Sequence, residues 1–151
     1  MLDNFHSARE ALDSHLAYIV GKPVQSVRLG IGSFLFLNFD GVYGIEENPP
    51  QDGMWQIWIY CCRWKLSDGS TIVAHSEIDR DKLKRSVQII GGLKLEDVRI
   101  ELEVGLTRFL FSGDISLTLN PYDQLENKRM WMLLAPTNAC LAVTYPPFDF
   151  N

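Results

Sequence analysis

Cysteine and positive charge are both scarce in this chain. Three Cys among 151 residues cannot all pair and are too few for a disulfide scaffold, so we predict a reducing, cytoplasmic compartment. Lys and Arg total 14 against 19 Asp and Glu, which leaves a net charge of −5. This balance argues against nucleic acid as a partner, because nucleic-acid binding depends on a basic surface. It permits a basic protein partner.

Long apolar runs and metal-type spacings are missing as well. No run approaches the ~20 apolar residues that cross a bilayer, and the start MLDNFHSARE has no signal-peptide character, so we expect no membrane partner. His6, His15 and His75 lie far from one another and from any Cys, so we expect no metal site. Gly30 and Gly32 join two predicted strands rather than opening a helix. We therefore expect no cofactor and assign no catalytic residue.

The apolar periodicity predicts an α+β fold. Residues 4–20 and 79–90 have the apolar spacing of helices, and Ser76 is a plausible cap for the second. Most of the remaining segments alternate as strands do. Connections of hairpin length, such as the one around Gly69, exclude a parallel sheet. The sequence thus predicts mostly antiparallel sheet in a single domain spanning 1–151.

Two stretches of the chain, 19–41 and 89–113, resemble each other. The matches keep a constant separation (92 − 21 = 71) until one residue is gained near the end (111 − 39 = 72). The matching pairs are Gly21 with Gly92, Val24 with Leu95, Val27 with Val98, Arg28 with Arg99, Leu29 with Ile100 and Phe39 with Phe111. We interpret the chain as two diverged helix-plus-strands repeats, about 4–75 and 77–145.

The segment 55–66 is the most apolar of the chain. As one continuous strand it places Trp58, Tyr60, Cys62, Trp64 and Leu66 on one face, with Trp55, Ile57, Ile59 and Cys61 on the other. We expect most of its aromatic residues to be core and Trp55 to be the exposed exception. The first repeat has no polar strand face here. The helices and tail, or a second subunit in a homodimer, must therefore cover the additional apolar strand surface.

Acidic residues mark the candidate contact surfaces. The loop 46–53, EENPPQDG, precedes Trp55, and an acidic row runs along 97–103. Arg99 and Arg108 can neutralise that row across a hairpin, which would make it an ordinary solvated sheet face. The candidate partner-binding residues are Glu46, Glu47, Asp52, Trp55, Glu101 and Glu103.

The hairpin Trp64-Lys65-Leu66-Ser67-Asp68-Gly69, within a small acidic α+β domain, resembles immunity-type proteins of bacterial toxin systems and bacterial domains of unknown function. The resemblance implies a protein that binds and blocks a toxin. We therefore predict a non-enzymatic protein-binding domain. The alternative is a small-molecule binder or hydrolase, whose pocket between the repeats is lined by Trp58, Tyr60 and Trp131, with Glu101 or His75 as acid–base group.

Overall fold

The computed structural model describes residues 2–39, 55–101, 104–121, 128–136 and 140–145. The predicted loop 46–53, the turn at Asp40 and Gly41, and the tail beyond Tyr145 lie outside these ranges. The elements are α1 (Leu2–Ile19), β1 (Val24–Leu29), β2 (Leu35–Phe39), β3 (Trp55–Ile59), β4 (Cys62–Asp68), β5 (Thr71–His75), α2 (Arg80–Ser86), β6 (Leu95–Glu101), β7 (Leu106–Phe111), β8 (Ile115–Pro121), β9 (Lys128–Leu134) and β10 (Cys140–Tyr145).

The two helices form where apolar residues recur every three or four positions. Leu12, Leu16 and Ile19 of α1 are buried, which confirms the predicted apolar face. The carboxylate of Asp79 accepts the Lys82 N–H at 3.3 Å and caps α2. Ser76, the predicted cap, instead accepts the Trp64 N–H at 3.1 Å. A 3-10 helix (Val87–Ile90) continues α2. Within the described ranges, no helix combines the length and apolar character needed to span a bilayer.

In the described part of the chain, ten strands form two five-stranded antiparallel sheets, which confirms the α+β class. The first sheet has the order β1-β2-β3-β9-β10, and the second has the order β5-β4-β8-β7-β6. The segment after α1 gives three strands to the first sheet and two to the second. The segment after α2 does the reverse, with three strands in the second sheet and two in the first. The halves of the chain are therefore interleaved in both sheets.

A short reciprocal ladder joins the starts of β1 and β6. The Gly21 N–H donates to the Leu95 carbonyl at 2.6 Å, and the Gly92 N–H donates to the Val24 carbonyl at 2.7 Å. In the same way, the Val24 N–H donates to the Leu93 carbonyl at 2.8 Å, and the Leu95 N–H donates to the Lys22 carbonyl at 3.0 Å. Both glycines have positive φ, 91° and 85°, a conformation that glycine adopts without the steric cost of a Cβ.

One hydrophobic core spans both sheets and both helices. Its largest side chains include Trp64 and Trp131, which are buried with their polar groups satisfied. The Trp64 indole N–H donates to the Ser33 carbonyl at 2.9 Å, and that of Trp131 donates to the Thr107 hydroxyl at 3.1 Å. Because a buried N–H without an acceptor is costly, these bonds make the two indoles compatible with the core.

The segment 55–66 forms two strands rather than the single one that the sequence predicts. The chain breaks at Tyr60 and Cys61, where the Cys62 N–H donates to the Tyr60 carbonyl at 3.0 Å, and passes from the first sheet into the second. Even-numbered residues consequently face outward in β3 but inward in β4. Trp58 is half-buried on the outer face of the first sheet, whereas Trp64 points into the core.

Candidate functional site

The outer face of the first sheet carries a group of aromatic side chains. In β2 and β3 the buried residues alternate with half-buried ones, and the pairing of the strands places Phe36 opposite Trp58. Phe34 and Tyr60 lie just beyond the ends of these strands, and both are half-buried. We call Phe34, Phe36, Trp58 and Tyr60 the aromatic face.

The four rings contact one another edge to face. Ring centroids are 4.7 Å apart for Phe34 and Tyr60, 5.3 Å for Phe36 and Trp58, and 5.8 Å for Trp58 and Tyr60. Such pairs are favourable beyond the area that they bury. Arg28, paired with Phe36 across the strands, lies 4.7 Å above the Phe36 ring as a cation–π contact. The rings are therefore held in place before any partner arrives.

Sulfur-containing side chains continue this face beyond β3. Met132 lies opposite Trp58, and the Cys140 thiol contacts the Met132 sulfur at 3.8 Å. Burial raises the pKa of Tyr60 above its ordinary value of 10.0, and the nearby Cys140 and Cys61 raise that pKa further. The Tyr60 hydroxyl therefore stays protonated at neutral pH and can donate a hydrogen bond from the edge of the face.

The second sheet has polar residues at the corresponding positions. A cross-strand row consists of residues that lie opposite one another on successive strands. It is counted from the edge strand β6 in the second sheet and from β1 in the first. The first row reads Arg28, Phe36, Trp58 and Met132; the second reads Arg99, Arg108, Thr118 and Lys65. The same strand arrangement thus forms with a polar outer face, so folding alone does not require aromatic residues on the first sheet.

Of the six predicted partner-binding residues, the structure describes only Trp55 and Glu101. Glu46, Glu47, Asp52 and Glu103 lie outside the described residues. Glu101 is exposed at the end of the edge strand β6.

Trp55 was expected to be exposed, and that prediction is wrong. The side chain is only 5% exposed, because its position in β3 has the same inward orientation as those of Ile57 and Ile59. Residues of α1 cover the ring: Tyr18 stacks on it at 5.4 Å, and His15 meets it edge-on at 5.9 Å.

The pocket expected between the repeats does not assemble from its predicted residues. Trp131 is fully buried against Phe109, with ring centroids 5.0 Å apart, while Trp58 lies on the outer face of the first sheet. His75 and Glu101 belong to β5 and β6, the two opposite edges of the second sheet. Either acid–base group therefore belongs to the second sheet, whereas Trp58 belongs to the first.

A different concavity lies on the outer face of the second sheet. It is an open depression of about 580 Å³ lined mainly by polar side chains, among them Ser67, Glu96, Arg108, Asp114 and Thr118. Its size is within the ~300–1,000 Å³ typical of ligand pockets. In the described part of the chain, Asp114 is the only non-glycine residue with positive φ (63°), and its carbonyl accepts the Gly69 N–H at 2.9 Å. No sequence motif pointed to this depression.

Sequence reasoning also missed Phe34 and Phe36 as surface residues. The available signal was the apolar character of both faces of 33–39, in contrast to the polar alternation of 98–104. Among the described residues, no group of three or more His, Cys, Asp or Glu side chains could hold a metal ion. Comparison with protein-family models, with curated proteins and with solved structures finds no match.

Proposed function

We propose that the protein is a non-enzymatic protein-binding domain whose contact surface is the aromatic face. The observation that carries this proposal is a group of four packed, half-buried rings on the first sheet, where the second sheet has Arg108 and Thr118 at the positions of Phe36 and Trp58. Trp, Tyr and Arg are the residues that most often dominate binding energy at interfaces. Trp58, Tyr60 and Arg28 bring all three together on one sheet face.

The rim of the aromatic face fits the usual anatomy of an interface. Asn38 and Gln56, paired in the next row of the sheet, are half-buried polar residues, and Gln56 accepts the Trp58 indole N–H at 2.8 Å. An apolar centre with a polar border is the common pattern of protein–protein contacts. The partner is accordingly a protein with an apolar patch. The toxin-neutralising role implied by the sequence resemblance is one form of this proposal.

The replacement Trp58→Thr tests the proposal, because Thr is the residue found at the corresponding position of the second sheet. We expect quantitative affinity capture from the native extract to identify proteins that the wild type retains and this variant loses. The affinity of such a partner should fall about 30-fold or more, as for an interface hot spot. The melting temperature should fall by only a few degrees, because Trp58 is half-buried and loses two ring contacts.

Thr118→Ala, at the matching place on the second sheet, is the control and should leave capture unchanged. Equal capture by wild type and Trp58→Thr would contradict the proposal. A second copy of the chain is the other candidate occupant of the aromatic face, as a homodimer. In that case the wild type would sediment as a dimer and Trp58→Thr as a monomer.

We also infer that the two halves, about 4–75 and 77–145, are diverged copies of one unit. The reciprocal ladder between Gly21 and Gly92 supports this inference, as does the identical strand order counted from each helix. A register shift occurs at the same place in both halves, after Val24 in β1 and after Leu95 in β6. Bulges of this kind are conserved features of a fold rather than accidents.

A further inference from the structure

A groove separates α1 from the edge strand β6. Its volume is about 320 Å³, and its lining residues are Asp13, Leu16, Ala17, Val20, Asp97 and Val98. The floor is apolar, and the two carboxylates belong to the two opposite walls, one to the helix and one to the strand. The groove does not include any residue of the aromatic face.

The other half of the chain shows how such a groove is filled. There the 3-10 helix after α2 runs along β1, and the Gln88 side-chain amide donates to the Val27 carbonyl at 3.2 Å. Ala17 takes the place of Gln88 (88 − 17 = 71), and Val98 takes the place of Val27 (98 − 27 = 71). The groove beside α1 is thus the counterpart of a site in which a long side chain reaches a strand carbonyl.

The backbone of Val98 is available to a ligand at the open edge of the sheet. Its N–H donates to the Asp97 carboxylate at 2.9 Å. The Val27 carbonyl, at the matching place in the other half, accepts from the Gln88 side chain, and we expect the Val98 carbonyl to be open to a donor in the same way. An acceptor carbonyl and the carboxylates of Asp13 and Asp97 together match the three N–H donors of an ammonium group.

We propose that this groove binds a lysine side chain of a protein partner, with its four-carbon stem along the apolar floor. The net charge of −5 favours approach by a basic protein. Arg9 and Arg99 already pair with Asp13 and Asp97, each at 3.2 Å. Both pairs are partly exposed, so water screens them and an incoming ammonium can share the carboxylates. The inference rests on the proposed binding function for its partner, but not on the aromatic face.

A titration with Nα-acetyl-lysine N-methylamide, followed by ¹⁵N–¹H NMR, tests the groove without any partner. We expect saturable shifts concentrated at Ala17, Val20 and Val98, half complete at about 1–10 mM, as befits one weakly held side chain. The norleucine analogue has a similar stem without the charge and should bind at least about tenfold more weakly. Equal shifts with both probes, or no saturable shift up to about 50 mM, would overturn the proposal.

The variant Ala17→Gln should close the groove, because the new amide can reach Val98 as Gln88 reaches Val27. We expect at least a tenfold loss of lysine binding together with a higher melting temperature. Ser14→Gln adds the same side chain to an exposed position of α1 outside the groove and should leave binding unchanged. Asp13→Asn, which removes one carboxylate and keeps the shape, should weaken binding about threefold or more.

Binding that survives both Ala17→Gln and Asp13→Asn would refute the groove as the lysine site. Failure here and failure of the proposed function are distinguishable because the probe experiment uses no partner. If the lysine shifts appear but partner capture does not depend on Trp58, the groove stands and the aromatic face falls. If partner capture depends on Trp58 but no lysine shifts appear, the groove is refuted and the aromatic face stands.

Discussion

At the scale of single residues, the Cys62 thiol couples ionisation to folding. Its side chain is fully buried and lies 3.7 Å from the Met130 carbonyl. Burial raises the pKa of this thiol above its ordinary value of 9.0, and the adjacent Cys61 raises it further. The folded protein therefore keeps a proton that the unfolded chain releases above about pH 9. Stability contributed by this group is fully present below that pH and is lost as the pH rises.

We expect the free energy of unfolding to fall more steeply above pH 9 in the wild type than in Cys62→Ala. One buried thiol accounts for up to about 1.4 kcal/mol per pH unit in this range. Urea unfolding at several pH values between about 8 and 10.5 measures both slopes, and the difference between them isolates Cys62 from other alkaline groups. Identical slopes in the two proteins would show that the thiol is not protected by the fold.

The tryptophans show what a single sequence can and cannot predict about a residue. An apolar segment with three indoles, and a fourth indole in the second half, predict a core, and Trp55, Trp64 and Trp131 are buried as a core requires. Which one faces outward depends on where the strand breaks. The break at Tyr60 and Cys61 contains no Gly or Pro that would mark it in the sequence. Trp55 is predicted to be exposed because it follows the acidic loop, whereas Trp58 is the one that faces outward. For the aromatic face, the sequence could predict only that these strands carry more apolar residues than one buried face needs.

At the scale of elements, the ends of both helices depend on the same local geometry. Gly92 and Gly21 have positive φ, and each donates its N–H across the ladder between β1 and β6. A Cβ at either position would meet no atom within 4 Å. Any cost of replacing them therefore comes from the backbone conformation rather than from a steric clash.

We expect Gly92→Ala and Gly21→Ala each to lower the free energy of unfolding by about 1–2 kcal/mol. Gly91→Ala is the matched control, because Gly91 has an ordinary φ of −59° and Val20 occupies its place in the first half (91 − 71 = 20). A Cβ at Gly91 would lie 3.3 Å from the Gln88 carbonyl oxygen, so that control should cost some stability, but less than about 1 kcal/mol. Urea titrations of the three variants measure these free energies. A larger loss of stability in Gly91→Ala than in Gly92→Ala would contradict the role of positive φ.

The helices and strands were easier to predict than the pairing of the strands. Alternation and hairpin turns located nearly all ten strands and both helices, because these signals are local. Strand pairing is not local: β4 pairs with β8, and β3 pairs with β9. No pattern within a strand specifies a neighbour whose paired residues lie 47 to 59 positions away, as in β4 and β8 (115 − 68 = 47; 121 − 62 = 59). The exchange of strands between the sheets was therefore beyond sequence reasoning.

At the scale of the whole molecule, that exchange makes each half incomplete. Without the second half, β3 loses β9 and β4 loses β8, so the first half retains only β1-β2-β3 and the β4-β5 hairpin. The inward faces of these strands, including Trp64 and Ile59, would be exposed to water. Isolated hairpins and small sheets without cover are marginal at best. Neither half can therefore bury enough apolar surface to fold alone.

We expect fragments 1–77 and 78–151 each to show no cooperative unfolding as monomers, and their equimolar mixture to recover the transition of the intact chain. Separate and mixed urea titrations monitored by circular dichroism make this comparison. A first fragment that forms a homodimer, with β4 and β5 of each copy beside β3 of the other, would strengthen the inference of a duplicated unit. A fragment that unfolds cooperatively as a monomer would contradict the dependence of each half on the other, because the interleaved sheets would then be dispensable for folding.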